Sequence, residues 1–311
     1  MEQDTKFIKH KITFNSEGTN CHGNFYLPNN LENLPCIVFA NGFSGTMDWI
    51  LPKFAEHFVQ AGFAVLIFDY RFLGESEGEP RQLISLKKQR TDLRNALKWV
   101  RSQEKIDKKK IALWGTSLGG SHVIDVAAND AEIAVVIGNM PAIDAIKGAN
   151  VKKKAEAANV SKWGIISATF RLLGAAIVDV IKNGLGLQPR YLKVYGKAGK
   201  AFFTDPALAH RFEKVEAGSS TWKNKVAARF LLNPPRYKEG TIERIKAPIF
   251  VVISTQDIEL NPAFLKEKFS KAADVEIKEY DYGHFDLYHG EAFKQVAADQ
   301  VNFMKKVFEN Y

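Results

Sequence analysis

Short apolar runs alternate along this chain with longer segments whose apolar residues recur every three to four positions. Residues 7–14 and 22–27 read as two opening strands, paired antiparallel. Further runs of strand length lie at 36–40, 64–68, 110–114, 133–137, 249–253 and 275–280. Helical periodicity falls between them at 49–61, 86–101, 118–128, 262–272 and 292–308. Gly62 stops the first of these helices, and Leu86, Leu93, Leu97 and Val100 form the apolar stripe of the second. Strands alternating with helices predict an α/β fold, a mostly parallel sheet with helices on both faces. The alternation stops near Ile143 and resumes near Ile249. The predicted organisation is therefore a core in two pieces, 1–143 and 247–311, with a helical cap or lid inserted over 144–246. An insertion there sits at the carboxyl ends of the strands, where such sheets bind ligands.

A chain of 311 residues with 46% hydrophobic positions can bury a large core without disulfides or metals. The two cysteines, Cys21 and Cys36, read as buried thiols and fit a reducing compartment. No Cys/His cluster has zinc-site spacing, so no metal is expected. The polar N-terminus lacks the pattern of a signal peptide. The most apolar stretch, 163–187, is interrupted by Arg171, Asp179 and Lys182, so no stable membrane insertion is expected and a cytoplasmic protein is the simplest reading. The net charge of +8 is concentrated. Between Ala145 and Lys200 eleven Lys/Arg face only Glu156 and Asp179, a local excess of nine. No groove-reading motif accompanies this segment, so it reads as a solvated basic surface rather than a nucleic-acid site.

The strongest chemical signal is Gly115-Thr116-Ser117-Leu118-Gly119, between an apolar strand and an apolar helix. In that context G-x-S-x-G forms a sharp strand-to-helix turn that exposes the serine. Glycines two residues to either side give the strained turn room. The following helix aims free N–H groups at the reaction centre. Serine needs a base to take its proton. Among seven histidines, His284 in Tyr282-Gly283-His284-Phe285-Asp286 follows the last core strand on a loop. His289 is the rival, His122 reads as a packing residue, and His10, His22, His57 and His210 read as surface or packing residues. The carboxylate that would fix the histidine tautomer is Asp257, after the 249–253 strand, with Glu259 as the fallback. An oxyanion hole needs two N–H donors. Leu118 supplies one, and Phe43 in the turn Asn41-Gly42-Phe43-Ser44-Gly45 supplies the other.

The order Ser117, Asp257, His284 is that of the α/β-hydrolase fold. The chain resembles the serine α/β-hydrolases related to xylan esterases, dienelactone hydrolases and Xaa-Pro dipeptidyl-peptidase-like proteins, in a bacterial branch also similar to fungal polyketide transferases. The resemblance covers most of the chain. It rests on Asn41-Gly-Phe-Ser-Gly-Thr46, Phe68-Asp-Tyr-Arg71, Gly78-Glu-Pro-Arg-Gln82, Trp114-Gly-Thr-Ser-Leu-Gly-Gly120, Gly283-His-Phe-Asp-Leu-Tyr288 and, in the cap, Thr221-Trp-Lys-Asn224. It implies the same three residues as a catalytic triad, and acyl chemistry without a cofactor. Two places depart from the family pattern: Asn41 stands where a histidine is usual, and a lid stretch usually rich in Pro, Gly and Glu reads Gly196-Lys-Ala-Gly-Lys200.

These readings converge on a serine hydrolase acting on a small-molecule ester, thioester or amide. An acyltransferase using the same triad and a non-catalytic binding protein on the same fold are the alternatives, and a homodimer stays open. The stretch 163–180 is apolar on most sides and is expected to be packed. Trp163, Phe170 and Leu173 are expected to line an acyl pocket above Ser117, with Trp222 as a further substrate contact and the lysines on the outer rim.

Overall fold

The computed structural model describes residues 7–310. Eleven strands and eight helices follow in chain order among these residues: β1 (Phe7–Ser16), β2 (Thr19–Pro28), β3 (Leu34–Ala40), α1 (Leu51–Gln60), β4 (Ala64–Phe68), α2 (Leu86–Arg101), β5 (Ile106–Thr116), α3 (Leu118–Ala127), β6 (Val135–Asn139), α4 (Val151–Ala157), α5 (Lys162–Gly184), β7 (Tyr191–Tyr195), β8 (Ala201–Phe203), α6 (Ala209–Gly218), β9 (Val226–Ala227), β10 (Ile249–Ser254), α7 (Pro262–Phe269), β11 (Val275–Tyr280) and α8 (Gly290–Phe308).

Eight strands form the main sheet in the order β1-β2-β4-β3-β5-β6-β10-β11. β1 and β2 pair antiparallel, β2 meets β4 antiparallel, and every pair from β4 to β11 is parallel. Every residue of β4, β6 and β10 is buried. That is why these runs are apolar without alternation: both sheet faces are covered by helices. The register Phe39↔Trp114, Ala40↔Gly115 and Thr116↔Asn139 brings the carboxyl ends of β3, β5 and β6 to one edge. The turns that carry chemistry leave from that edge.

The segment between β6 and β10, expected to be a helical cap, carries α4, α5 and α6. It also builds a three-stranded sheet in the order β8-β7-β9. The sequence Tyr191-Leu-Lys-Val-Tyr195 alternates in burial, which suits a strand with one covered face.

A larger difference concerns α5. By length and composition, Trp163–Gly184 is long and apolar enough to cross a membrane, and only 11% of its most apolar window is buried. One face is anchored. Ala176 packs with Leu192 and Ala228, and Leu172 and Ala175 lie against them. Asp179, an interruption in the apolar run at sequence level, is the buried anchor. Its carboxylate accepts the Arg190 N–H at 2.7 Å and pairs with Arg229 Nε at 2.8 Å. The expectation that the whole stretch is packed fails because one neighbouring surface can cover only one face of a helix.

Candidate active site

Ser117 sits between β5 and α3 with φ 50° and ψ −116°. A non-glycine residue held there stores roughly 1–3 kcal/mol of strain. The turn is held from both sides: the Ser117 N–H donates to the Asn139 carbonyl at 2.9 Å, and the Ser117 carbonyl accepts the Ala142 N–H at 2.8 Å. The two flanking glycines are steric requirements. A Cβ on Gly119 would run into the Ala40 carbonyl, and one on Gly115 into the Gly119 backbone. Leu118 is the first residue of α3, so its N–H is among those a helix leaves without an intrahelical acceptor.

The turn after β3 lies against the serine, since a Cβ placed on Gly42 would be 3.6 Å from Ser117 Cβ. Asn41 is buried, and its Oδ1 accepts the Gly42 N–H at 3.0 Å. In this chain the side chain that replaces the usual histidine therefore braces the turn. The Phe43 ring packs on Phe202 and Phe230, with centroids 4.7 and 5.1 Å away.

The loops after β10 and β11 are joined by Thr255 N–H to Tyr280 O at 2.9 Å and Gln256 N–H to Tyr282 O at 3.2 Å. This sets Asp257 beside His284, with Nδ1 of His284 2.7 Å from Oδ2 of Asp257. The other oxygen, Oδ1, accepts the N–H groups of Glu259 and Leu260 at 2.7 and 2.9 Å. The carboxylate is thus fixed at both oxygens. The Glu259 carboxylate pairs instead with Lys154 at 2.5 Å. Burial alone would lower the pKa of His284. The Asp257 charge and hydrogen bond outweigh it, with help from Glu259, and the net shift is upward from the ordinary 6.5.

Other histidines take other places. His122 is buried, with Nε2 2.9 Å from Oε1 of Gln89, and burial followed by the Arg90 charge pushes its pKa down to about 3. It stays neutral in the core. His289 lines a cavity beside the site, where burial and the charges of Arg211, Lys53 and Lys214 lower its pKa. His210 lines the same cavity, which the sequence did not indicate.

Ser117 and His284 face a common slot with Asn41, Gly42, Phe43, Thr116, Phe203 and Phe285. The slot has a volume of only about 20 Å³. It shares Trp49, Ile50, Phe285 and Tyr288 with a cavity of about 460 Å³. Phe212 and Val215 complete the apolar wall of that cavity, and Lys53, Arg211 and Lys214 stand among its lining residues. Arg211, from α6, pairs with Asp286, whose carboxylate also accepts the Gly283 N–H at 2.8 Å. The inserted segment therefore touches the histidine loop directly. The Tyr288 hydroxyl lies 2.6 Å from Thr116 Oγ1 and fixes the floor of the slot.

The structure brings together Ser117, Asp257, His284, Phe43 and Leu118 at one edge of the sheet. It does not bring Trp163, Phe170 or Leu173 into the slot or the cavity. They project outward, 80%, 72% and 40% exposed, because the face of α5 that packs is the one bearing Ala176 and Asp179. Trp222 is buried, but it lies behind the wall, 6.1 Å from Phe212 and 6.4 Å from Trp49 by ring centroids. The basic residues Arg171, Lys182, Arg190, Lys193, Lys197 and Lys200 line a different cleft, which shares no residue with the slot or the cavity. Sequence reasoning missed Trp49, Phe203 and Phe212. The adjacent aromatic pair Phe202-Phe203 was the available signal, but only folding places it opposite Phe43.

Comparison with known proteins agrees with this fold. The family model described as X-Pro dipeptidyl-peptidase (S15 family) matches residues 17–266. The chain is 36% identical over 299 residues to the quorum-quenching protein AidA of Acinetobacter baumannii, covering 95% of this chain and 94% of that one. It is 26% identical over 288 residues to the polyketide transferase ATR5 of Stachybotrys chlorohalonatus, covering 88% and 90%. The crystal structure of the alpha/beta hydrolase GrgF from Penicillium superposes with a TM-score of 0.76 at 22% identity, covering 96% of this chain and 98% of that one. The fold is the α/β-hydrolase fold.

Proposed function

The chain belongs to the X-Pro dipeptidyl-peptidase (S15) family, and from that premise we propose that it is a serine hydrolase cleaving a carboxylic ester, thioester or amide through an acyl-enzyme. The observation that carries the reading is the His284–Asp257 contact at 2.7 Å, in a buried pair whose imidazole shares a slot with Ser117. In this reading the Ser117 oxygen attacks the carbonyl carbon while its proton passes to Nε2 of His284. Asp257 holds Nδ1–H and stabilises the imidazolium. The N–H groups of Phe43 and Leu118 receive the negative charge that develops on the carbonyl oxygen. The imidazolium then protonates the departing alcohol, thiol or amine. Water repeats the sequence on the acyl-enzyme, losing a proton to His284 and releasing the acid and free Ser117.

The 20 Å³ slot accommodates little beyond the reacting carbonyl, so the body of the substrate belongs in the adjoining 460 Å³ cavity. That volume is within the usual range for small-molecule pockets. Its walls of Trp49, Ile50, Phe212, Val215 and Phe285 suit an apolar group. The buried free thiols of Cys21 and Cys36 support a reducing, cytoplasmic setting.

A fluorophosphonate probe together with an ester series of rising acyl length tests this reading. Covalent labelling of the intact protein at Ser117, with turnover of at least one ester, is the expected result. Absence of labelling would instead favour a binding protein on the same fold.

A second expectation concerns pH. His284 acts as a base only when neutral, and its pKa is raised. For a neutral ester, kcat/KM should therefore fall as pH drops, with a midpoint above the ordinary histidine value of 6.5. A profile from about pH 5 to 9 checks it, and a midpoint below that value would contradict the assignment.

Acyl transfer to an alcohol or thiol is the second reading. The apolar walls of the adjoining cavity, Trp49, Ile50, Phe212, Val215 and Phe285, suit an apolar acceptor as well as an acyl group. The ratio of ester to free acid formed with a primary alcohol present separates the two.

A further inference from the structure

We infer that the outward face of α5 is the interface of a two-fold homodimer, in which α5 lies antiparallel against α5 of a second copy of this chain. Among the described residues, ten large apolar side chains between Trp163 and Leu187 are 40–80% exposed. At about 100 Å² each, roughly half of what a large side chain can bury, they present on the order of 1,000 Å². That exceeds the apolar patch of a typical monomer, and it matches the roughly 800 Å² per partner of a standard interface.

The spacing indicates what covers this face. Trp163, Ile166, Phe170, Leu173, Ile177 and Val180 follow one another at intervals of three, four, three, four and three residues. This is the seam of two packed helices, knob against hole. No seam position carries a charge. A helix lying on an anionic bilayer has cations along the border of its apolar face. Here the cations beside the apolar face, Arg171 and Lys182, line with Arg190 and Lys193 a cleft that also takes in Gly174 and Val178. Insertion across a bilayer would have to strip Asp179 from Arg229 and from the Arg190 N–H.

The seam is also complementary to itself. A two-fold axis between Leu173 and Gly174 sets Leu173 against Gly174 of the partner subunit and Trp163 against Gly184 of the partner subunit. A Cβ added to either glycine meets nothing within 4 Å, so both positions are open spaces in the single chain. The same axis sets Phe170 against Ile177 of the partner subunit. Trp163 and Leu173 thus meet gaps, and Phe170 closes apolar on apolar against Ile177 in the middle of the seam.

Sedimentation velocity on the full chain from about 1 to 50 μM tests the proposal, a range that brackets micromolar affinity. The expected particle has twice the chain mass of 34.9 kDa. The double substitution Phe170→Glu, Ile177→Glu should raise the dimer dissociation constant at least about 100-fold, as expected for central interface anchors. Both side chains are exposed, so the circular dichroism spectrum should be unchanged. Independently, Gly174→Cys should give an intermolecular cross-link with a short bis-maleimide, since Cys21 and Cys36 are buried. A wild-type monomer throughout the range overturns the proposal. So does a dimer that survives the double substitution, or a Gly174→Cys protein that does not cross-link. A monomer that sediments with phosphatidylglycerol vesicles, and loses this with the double substitution, would reassign the face to lipid.

Discussion

Ser117→Ala is expected to abolish fluorophosphonate labelling and to lower kcat/KM for any ester the protein turns over by on the order of 10⁴- to 10⁶-fold. The size follows from the role proposed for Ser117. Without the oxygen there is no acyl-enzyme, and what remains is whatever the oxyanion donors and binding supply alone. The fold should be unaffected. The strained turn is set by Gly115, Gly119 and the backbone bonds to Asn139 and Ala142, and none of these uses the Ser117 hydroxyl. Removing that hydroxyl therefore separates chemistry from folding. A variant that keeps more than about a tenth of the activity with an unchanged thermal midpoint would rule out Ser117 as the nucleophile, since a triad nucleophile is worth orders of magnitude more.

His284→Ala and Asp257→Asn form the second test, read against His289→Ala and Glu259→Gln. His284→Ala should match Ser117→Ala, and Asp257→Asn should cost on the order of 10⁴-fold by spoiling the tautomer. Asp257 is held by the Glu259 and Leu260 N–H groups through Oδ1, so Asn can keep the same position while changing what faces Nδ1 of His284. Glu259→Gln should lose less than about tenfold, since its carboxylate faces Lys154 and acts on His284 only from a distance. His289→Ala should also stay within about tenfold in kcat, with the change mainly in KM, because His289 lines the cavity and not the slot. Steady-state kinetics on the four variants decides it. Equal losses for His284→Ala and His289→Ala would leave the base unassigned to either.

Much of the core was legible in the sequence because its constraints are local. An apolar run buried on both faces, as in Ala64–Phe68 and Ile249–Ser254, has to avoid polar residues whatever its neighbours are. The turn at Ser117 needs glycines two residues away, because the Ala40 carbonyl and the turn's own backbone leave no room for a Cβ. That requirement is written in five consecutive letters. Asp257 and His284 could be chosen because each follows a recognisable strand, and the order of strands fixes which loops share an edge. Their separation from Glu259 and His289 was a different matter. It depended on which carboxylate the β10 loop turns toward the imidazole, and only the folded loop, tied at Thr255 and Gln256, decides that. The inserted segment was the least legible part. Periodicity marks α5 as apolar on most sides, but it cannot say which side finds a neighbour. The tertiary structure spends the Ala176–Asp179 face on packing and turns Trp163 and Phe170 to the outside. The walls of the slot and the cavity come instead from Trp49, Phe203, Phe212 and Phe285, aromatic residues from four separate segments. No window of sequence contains them together. Patterning thus determines what each element must bury, while packing between distant elements decides which surfaces remain to form a site or to meet a partner.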